Sequence, residues 1–151
     1  MPISEILTSP AVTIEPKATV VDAARTMRDH HVGALLVVEQ GELVGLVTDR
    51  DITVLVIAEQ GDMERTPVAN IMAREPAFVR DHAGVFEAVR VMQRANVRRL
   101  PVVDQHLRPV GVITADDLLI YLSNELGTLA KGLFRGLERE RSRLGELRGG
   151  P

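Results

Sequence analysis

GLVTDRDI at Gly45–Ile52 and GVITADDL at Gly111–Leu118 decide how this chain is read. Both follow Gly-h-h-Thr-x-x-Asp-h, with h apolar, and they stand 66 residues apart. The flanking sequence repeats with them. PAVTIEPKATVVDAARTM (10–27) parallels PAFVRDHAGVFEAVRVM (76–92), and HVGALLVVEQ (31–40) parallels NVRRLPVVDQ (96–105), with one-residue indels keeping the offset at 65 to 66. A duplicated Thr-x-x-Asp at the end of an apolar run points to two related ligand sites rather than one catalytic centre.

Working outward, each repeat reads as the same succession of elements. A short helical turn at Ile3–Leu7 and an extended piece at Val12–Ile14 open the first. Thr19 caps a helix to about His31, with Asp22 three residues on as in a capping box. Val20, Ala23, Ala24 and Met27 give that helix one apolar face, and Val85, Ala88, Val89 and Met92 repeat it. Gly33–Val38 and Leu43–Thr48, joined by a turn containing Gly41, read as a hairpin. Leu100–Val103 and Val110–Thr114 are its counterpart. The segment 49–58 reads as a helix, although its β-branched ITVLVIA has strand as the alternative on propensity alone. The organisation that follows is repeat one at 1–60, a polar linker at 61–68, repeat two at 69–122, a C-terminal helix at 123–148 and a disordered tail at 149–151. Leu122, Leu126, Leu129, Leu133, Leu137, Leu144 and Leu147 mark a stripe on that last helix, to be packed on its own domain or docked on a partner subunit. Gly127, Gly132, Gly136 and Gly145 weaken it.

Composition removes several function classes. At 151 residues and 45% hydrophobic, the chain can form a real core. Aromatics are 3%, too few for a base-stacking platform, and the net charge of −3 argues against a nucleic-acid backbone as main ligand. There is no cysteine, hence no disulfide, thiolate ligand or Cys nucleophile. MPISEILTSP does not read as a secretory signal, and no apolar run approaches the roughly 20 residues of a membrane span. A cytoplasmic protein with no membrane partner is expected. His30, His31, His82 and His106 assemble no metal site by spacing. No Ser-His-Asp set, phosphate-binding GxxxxGK[ST] loop or HExxH motif occurs, so no catalytic residue is assigned.

These residues resemble a known family. Two β-α-β-β-α units with Gly-h-x-Thr-x-x-Asp at the last strand–helix junction are similar to tandem CBS domains, the Bateman module. The resemblance covers about Ile3–Leu122, and it implies an α+β fold of two pseudo-symmetric repeats packed sheet to sheet, followed by the helical extension. No fused enzyme or channel accompanies them, so a stand-alone member is expected. By the resemblance, two clefts bind an adenosyl ligand: AMP, ADP or ATP first, S-adenosylmethionine or NAD as further options. A homodimer and an unidentified protein target are also implied.

Chemistry explains why such a ligand suits these residues. Thr48 and Thr114 precede helices whose first N–H groups are unpaired and partly positive, so a phosphate there gains donors and a hydroxyl. Asp51 and Asp117 would repel a phosphate and are matched to ribose hydroxyls instead. Gly45 and Gly111 leave room for the ligand or the facing strand. Arg98 or Arg99, where repeat one has Gly33-Ala34, is the candidate phosphate clamp, with Arg50 a weaker one. Adenine is expected against backbone groups of Val12–Ile14 and of Phe78 and Val79. The unequal charge predicts unequal sites. Ser/Thr-x-x-Asp/Glu is equally a helix cap that needs no ligand. The competing reading is therefore a ligand-independent dimeric scaffold. An enzyme ranks third, since a lone carboxylate per cleft is poor catalytic equipment.

Overall fold

A computed structural model describes residues 2–8 and 10–148, with side chains described to Leu144. The tail expected at 149–151 and the side chains of Gly145 and Leu147 lie outside the described residues. The chain divides into two compact units, residues 1–115 and 116–151.

The first unit holds repeat one and repeat two as far as Ala115. In chain order they are β1 (Thr13–Ile14), α1 (Val20–His30), β2 (Ala34–Glu39), β3 (Glu42–Thr48) and α2 (Asp49–Ile52), then β4 (Ala73–Arg74), β5 (Val79–Arg80), α3 (Val85–Ala95), β6 (Arg99–Val103) and β7 (Pro109–Thr114). One sheet runs β1-β2-β3-β4 and the other β5-β6-β7. In each, a two-residue strand pairs parallel with the first strand of an antiparallel hairpin. The hairpins share even an irregularity, a register shift at Val37/Val38 and again at Val102/Val103.

The expected helix of repeat one begins with a complete capping box. Thr19 Oγ1 accepts from the Asp22 N–H at 3.2 Å, and Asp22 Oδ2 accepts from the Thr19 N–H at 3.1 Å. It ends at His31 in the left-handed region, φ 54°. The β-branched stretch is helical but not uniformly α: α2 widens into a π-helix at Thr53–Ile57, where the Ala58 N–H reaches the Thr53 carbonyl at 3.0 Å.

The leading segment of each repeat joins the sheet of the other. A 3-10 turn at Val68–Asn70 precedes β4, which pairs with β3 (Gly45 with Arg74, Leu46 with Ala73). Val68 and Ile71 are buried in the same core as Val20, Leu35, Val37 and Val47. Reciprocally, a 3-10 turn at Ile3–Glu5 precedes Thr8, which exchanges both backbone hydrogen bonds with Val112 on β7, at 3.0 and 3.1 Å. Buried Ile3 donates its N–H to the Ala83 carbonyl of the second repeat at 2.9 Å. Side chains such as Ile3, Leu35, Leu100 and Ile113 are fully buried, each worth about 1.5–3 kcal/mol relative to exposure. The second unit is a single element: α4 runs Ala115–Arg148, its first residue being the last of unit one. Among the described residues, no helix is long and apolar enough to cross a membrane.

Candidate functional site

Two constraints fix each motif at the strand–helix junction. Across the hairpin, Thr48 stands opposite Ala34 and Thr114 opposite Arg99. Then the first helical N–H returns to the hairpin: Asp49 donates to the Gly33 carbonyl at 3.1 Å, and Ala115 to the Arg98 carbonyl at 2.8 Å. The strand entry and the threonine are therefore held side by side in both repeats.

In the first repeat the motif forms a helix cap. Asp51 Oδ2 accepts from the Thr48 N–H and from Thr48 Oγ1, both at 2.8 Å, and Thr48 Oγ1 accepts from the Asp51 N–H at 3.1 Å. The capping alternative raised by the sequence is thus realised at Thr48 and Asp51. A carboxylate has acceptor capacity beyond Oδ2, so the cap and a diol do not exclude each other chemically. In the second repeat Asp117 lies in the first turn of α4, three residues after Thr114.

Gly45 and Gly111 serve the exchanged segments. A Cβ on Gly45 would lie 2.5 Å from Met72 Sδ and 3.2 Å from the Ala73 carbonyl oxygen. One on Gly111 would strike Leu7 Cδ1 and come 2.6 Å from the Thr8 carbonyl oxygen. Of the two uses the sequence left open, room for the neighbouring strand is the one observed.

A cavity of about 240 Å³ opens within the first unit, and both repeats build it. Thr8, Pro10, Ala11 and Val12 come from the leading segment of repeat one, and Val32, Gly33 and Ala34 from its hairpin entry. Repeat two contributes Arg99, Val112 and Thr114. The walls are mainly apolar, with two threonine hydroxyls and one guanidinium. That is smaller than the roughly 300–1,000 Å³ of drug-sized sites.

Of the residues singled out by sequence, Val12, Arg99 and Thr114 line this cavity. Arg98 flanks it in sequence and holds α4 through its carbonyl. Ile14 packs against the repeat-one core and Val79 is buried. Phe78 is partly exposed, with the Arg80 guanidinium 5.6 Å from its ring centre. The Val12 carbonyl already accepts from the Leu36 N–H at 3.0 Å, so this part of the expected adenine contact is committed to the sheet. Arg50 is exposed on α2. Sequence reasoning missed Thr8, Pro10, Ala11, Val32 and Val112. Their one signal was Gly111, which demands a close neighbour without naming it.

The repeats differ in charge around the motif: Gly33-Ala34 against Arg98-Arg99, and Asp49-Arg50 against Ala115-Asp116. A Cβ on Gly33 would come within 3.1 Å of Asp49 Oδ2, so the glycine gives the exposed acid at 49 room beside the hairpin entry. Repeat two reverses the pair, with Arg98 at the entry and Ala115 at the helix start. Among the described residues, no group of three or more His, Asp or Glu could hold a metal ion.

Comparison with known proteins places these features in context. The CBS domain family model matches residues 3–57 and 68–124. The chain is 38% identical over 124 residues to the CBS domain-containing protein YhcV of Bacillus subtilis, covering 82% of this chain and 87% of that one. Against longer plant relatives it spans only 17% of their length. Among solved structures, the CBS domain pair of protein MJ0100, in complex with 5′-methylthioadenosine and S-adenosyl-L-methionine, is 25% identical with a TM-score of 0.74. It aligns over 83% of this chain and 98% of that one. The hexameric CBS-CP12 protein from bloom-forming cyanobacteria is 33% identical with a TM-score of 0.71, over 79% of this chain and 69% of that one.

Proposed function

The chain belongs to the CBS-domain family, and on that footing we propose that it is a regulatory module that binds an adenosyl ligand and signals through a change of conformation. The observation that carries this reading is the cavity shared between repeats. A ligand seated there touches Val12 and Ala34 of one repeat and Arg99 and Thr114 of the other, so its binding energy depends on how the repeats are set. It shifts the conformational equilibrium by its differential affinity for the two settings.

In this reading the base and sugar occupy the apolar walls, Thr114 meets the 5′ substituent and Arg99 meets phosphate where the ligand carries one; the sequence motif alone adds Asp117 as the acceptor for ribose hydroxyls. Thr48 and Asp51 have the equivalent roles in the pseudo-symmetric site, with Arg98 a further candidate cation there. AMP, ADP and ATP are the leading ligands. The 5′-methylthioadenosine and S-adenosylmethionine bound by the MJ0100 domain pair support adenosyl recognition without a phosphate. The working assembly is a homodimer in the cytoplasm acting on a protein target. No catalytic step is assigned.

One observation favours the scaffold alternative: Thr48 and Asp51 already satisfy each other as a cap. A thermal-shift screen of nucleotide-stripped protein against AMP, ADP, ATP, S-adenosylmethionine and 5′-methylthioadenosine separates the two. At 100 times Kd a ligand adds about 2.7 kcal/mol, or roughly 5–10 °C at this chain length. The proposal expects that shift with at least one ligand and its loss in Asp117→Asn or Asp51→Asn. No shift with any of the five supports the scaffold.

A further inference from the structure

The apolar stripe of α4 is uncovered. Every residue from Ser123 to Leu144 is exposed, and Leu126, Leu129, Leu133, Phe134, Leu137 and Leu144 are each more than half accessible. From Leu119 to Leu144 the stripe spans about 38 Å at 1.5 Å per residue, interrupted by Glu140. A monomer rarely leaves so much contiguous apolar surface in water.

The stripe is complementary to itself when reversed. Reflected about the point between Lys131 and Gly132, Leu119 falls on Leu144 and Leu126 on Leu137, while Leu129 and Leu133 bracket the centre. Charge is divided the same way. The first half of the helix carries Asp116, Asp117 and Glu125 against Lys131; the second carries Arg135, Arg139, Arg141, Arg143 and Arg148 against Glu138, Glu140 and Glu146. Antiparallel pairing sets the net-acidic half of one copy along the net-basic half of another, with Glu125 level with Glu138, one residue from Arg139 and three from Arg135, whereas parallel pairing sets like beside like. The helix dipoles favour the antiparallel arrangement as well. Gly127 and Gly136 exchange places under the same reflection. Among the described residues, nothing outside the local helix backbone lies within 4 Å of a Cβ added at either, so close packing of a second helix is a use for two glycines that otherwise weaken α4 by up to about 1 kcal/mol each.

We propose that α4 pairs antiparallel with α4 of a second copy. This pairing stands whether or not the cavity takes a ligand, and its surface begins in the last helix of repeat two at Leu119 and runs beyond the repeats.

The native chain has no cysteine, so directed disulfide formation is a clean test. Leu119→Cys and Leu144→Cys are prepared separately in the full chain, mixed in equal amounts and oxidised. Both positions are exposed, and circular dichroism checks that the fold is retained. The proposal expects the mixed 119–144 disulfide as the dominant product, lost when Leu126→Glu and Leu133→Glu are added to both partners. Dominant 119–119 and 144–144 products overturn it in favour of parallel pairing. Absence of intermolecular disulfide overturns it altogether and assigns the stripe to a partner of another kind.

Discussion

Single residues explain why the repeat motif has the form it has. The glycine that opens it is there for the segment exchanged between repeats. Gly111→Ala brings a methyl against the Thr8 backbone, which has no easy escape, whereas Gly45→Ala first meets the flexible end of Met72. Overpacking of this kind costs about 1–3 kcal/mol. Urea unfolding should therefore find Gly111→Ala well destabilised and Gly45→Ala less so. Equal stability of Gly111→Ala and the parent would contradict this account of the glycine. The threonine and aspartate were legible as chemistry but ambiguous in use, because a helix cap and a diol site ask for the same spacing. The structure decides the cap at Thr48 and Asp51, and only ligand binding can decide the second role.

At the scale of elements, what sequence made legible followed periodicity. The two hairpins came out within a residue or two, and the matched helix faces are buried at Val20, Ala23 and Met27 and at Val85, Ala88 and Met92, because local spacing determines them; Ala24 and Val89, expected on the same faces, are exposed. The capping box at Thr19 and Asp22 was visible for the same reason. Thr19→Ala should lower stability by about 1 kcal/mol, read as a lower midpoint in thermal unfolding. The Thr19 backbone N–H and then its hydroxyl hold the Asp22 carboxyl below its ordinary value. A depressed carboxylate contributes stability above its unfolded pKa and loses it as pH falls through the folded one. The penalty of Asp22→Asn should accordingly shrink below about pH 4, and a penalty that grows in acid would count against the cap. The exchanged segments were not legible as exchanged. A two-residue strand has no periodicity to read, and which sheet it joins depends on contacts far away in sequence. The widening of α2 into a π-helix escaped for a related reason: propensity marks the β-branched run as awkward, not how the backbone accommodates it.

For the whole molecule, duplication made the architecture readable and hid the composition of the site. Aligning the repeats gives two related sites but not which segments wall each one. The exchange builds the cavity from the lead and hairpin entry of one repeat and the strand end of the other, which is why Val12 and Thr114 share it while Ile14 and Val79 serve the core. Such a composite cavity gives a ligand leverage over the arrangement of the repeats. The trade of Gly33 and Asp49 for Arg98 and Ala115 makes the two sites chemically unequal, so one site of high affinity per chain is the expected stoichiometry. The most direct test is calorimetric titration of nucleotide-stripped protein with ATP and with 5′-methylthioadenosine, in the parent and in Ala34→Leu, which fills the cavity and leaves the residues of both Thr-x-x-Asp motifs unchanged. The account predicts one tight site in the parent for at least one of these ligands and its loss in Ala34→Leu with the fold intact; unchanged affinity in that variant would contradict it.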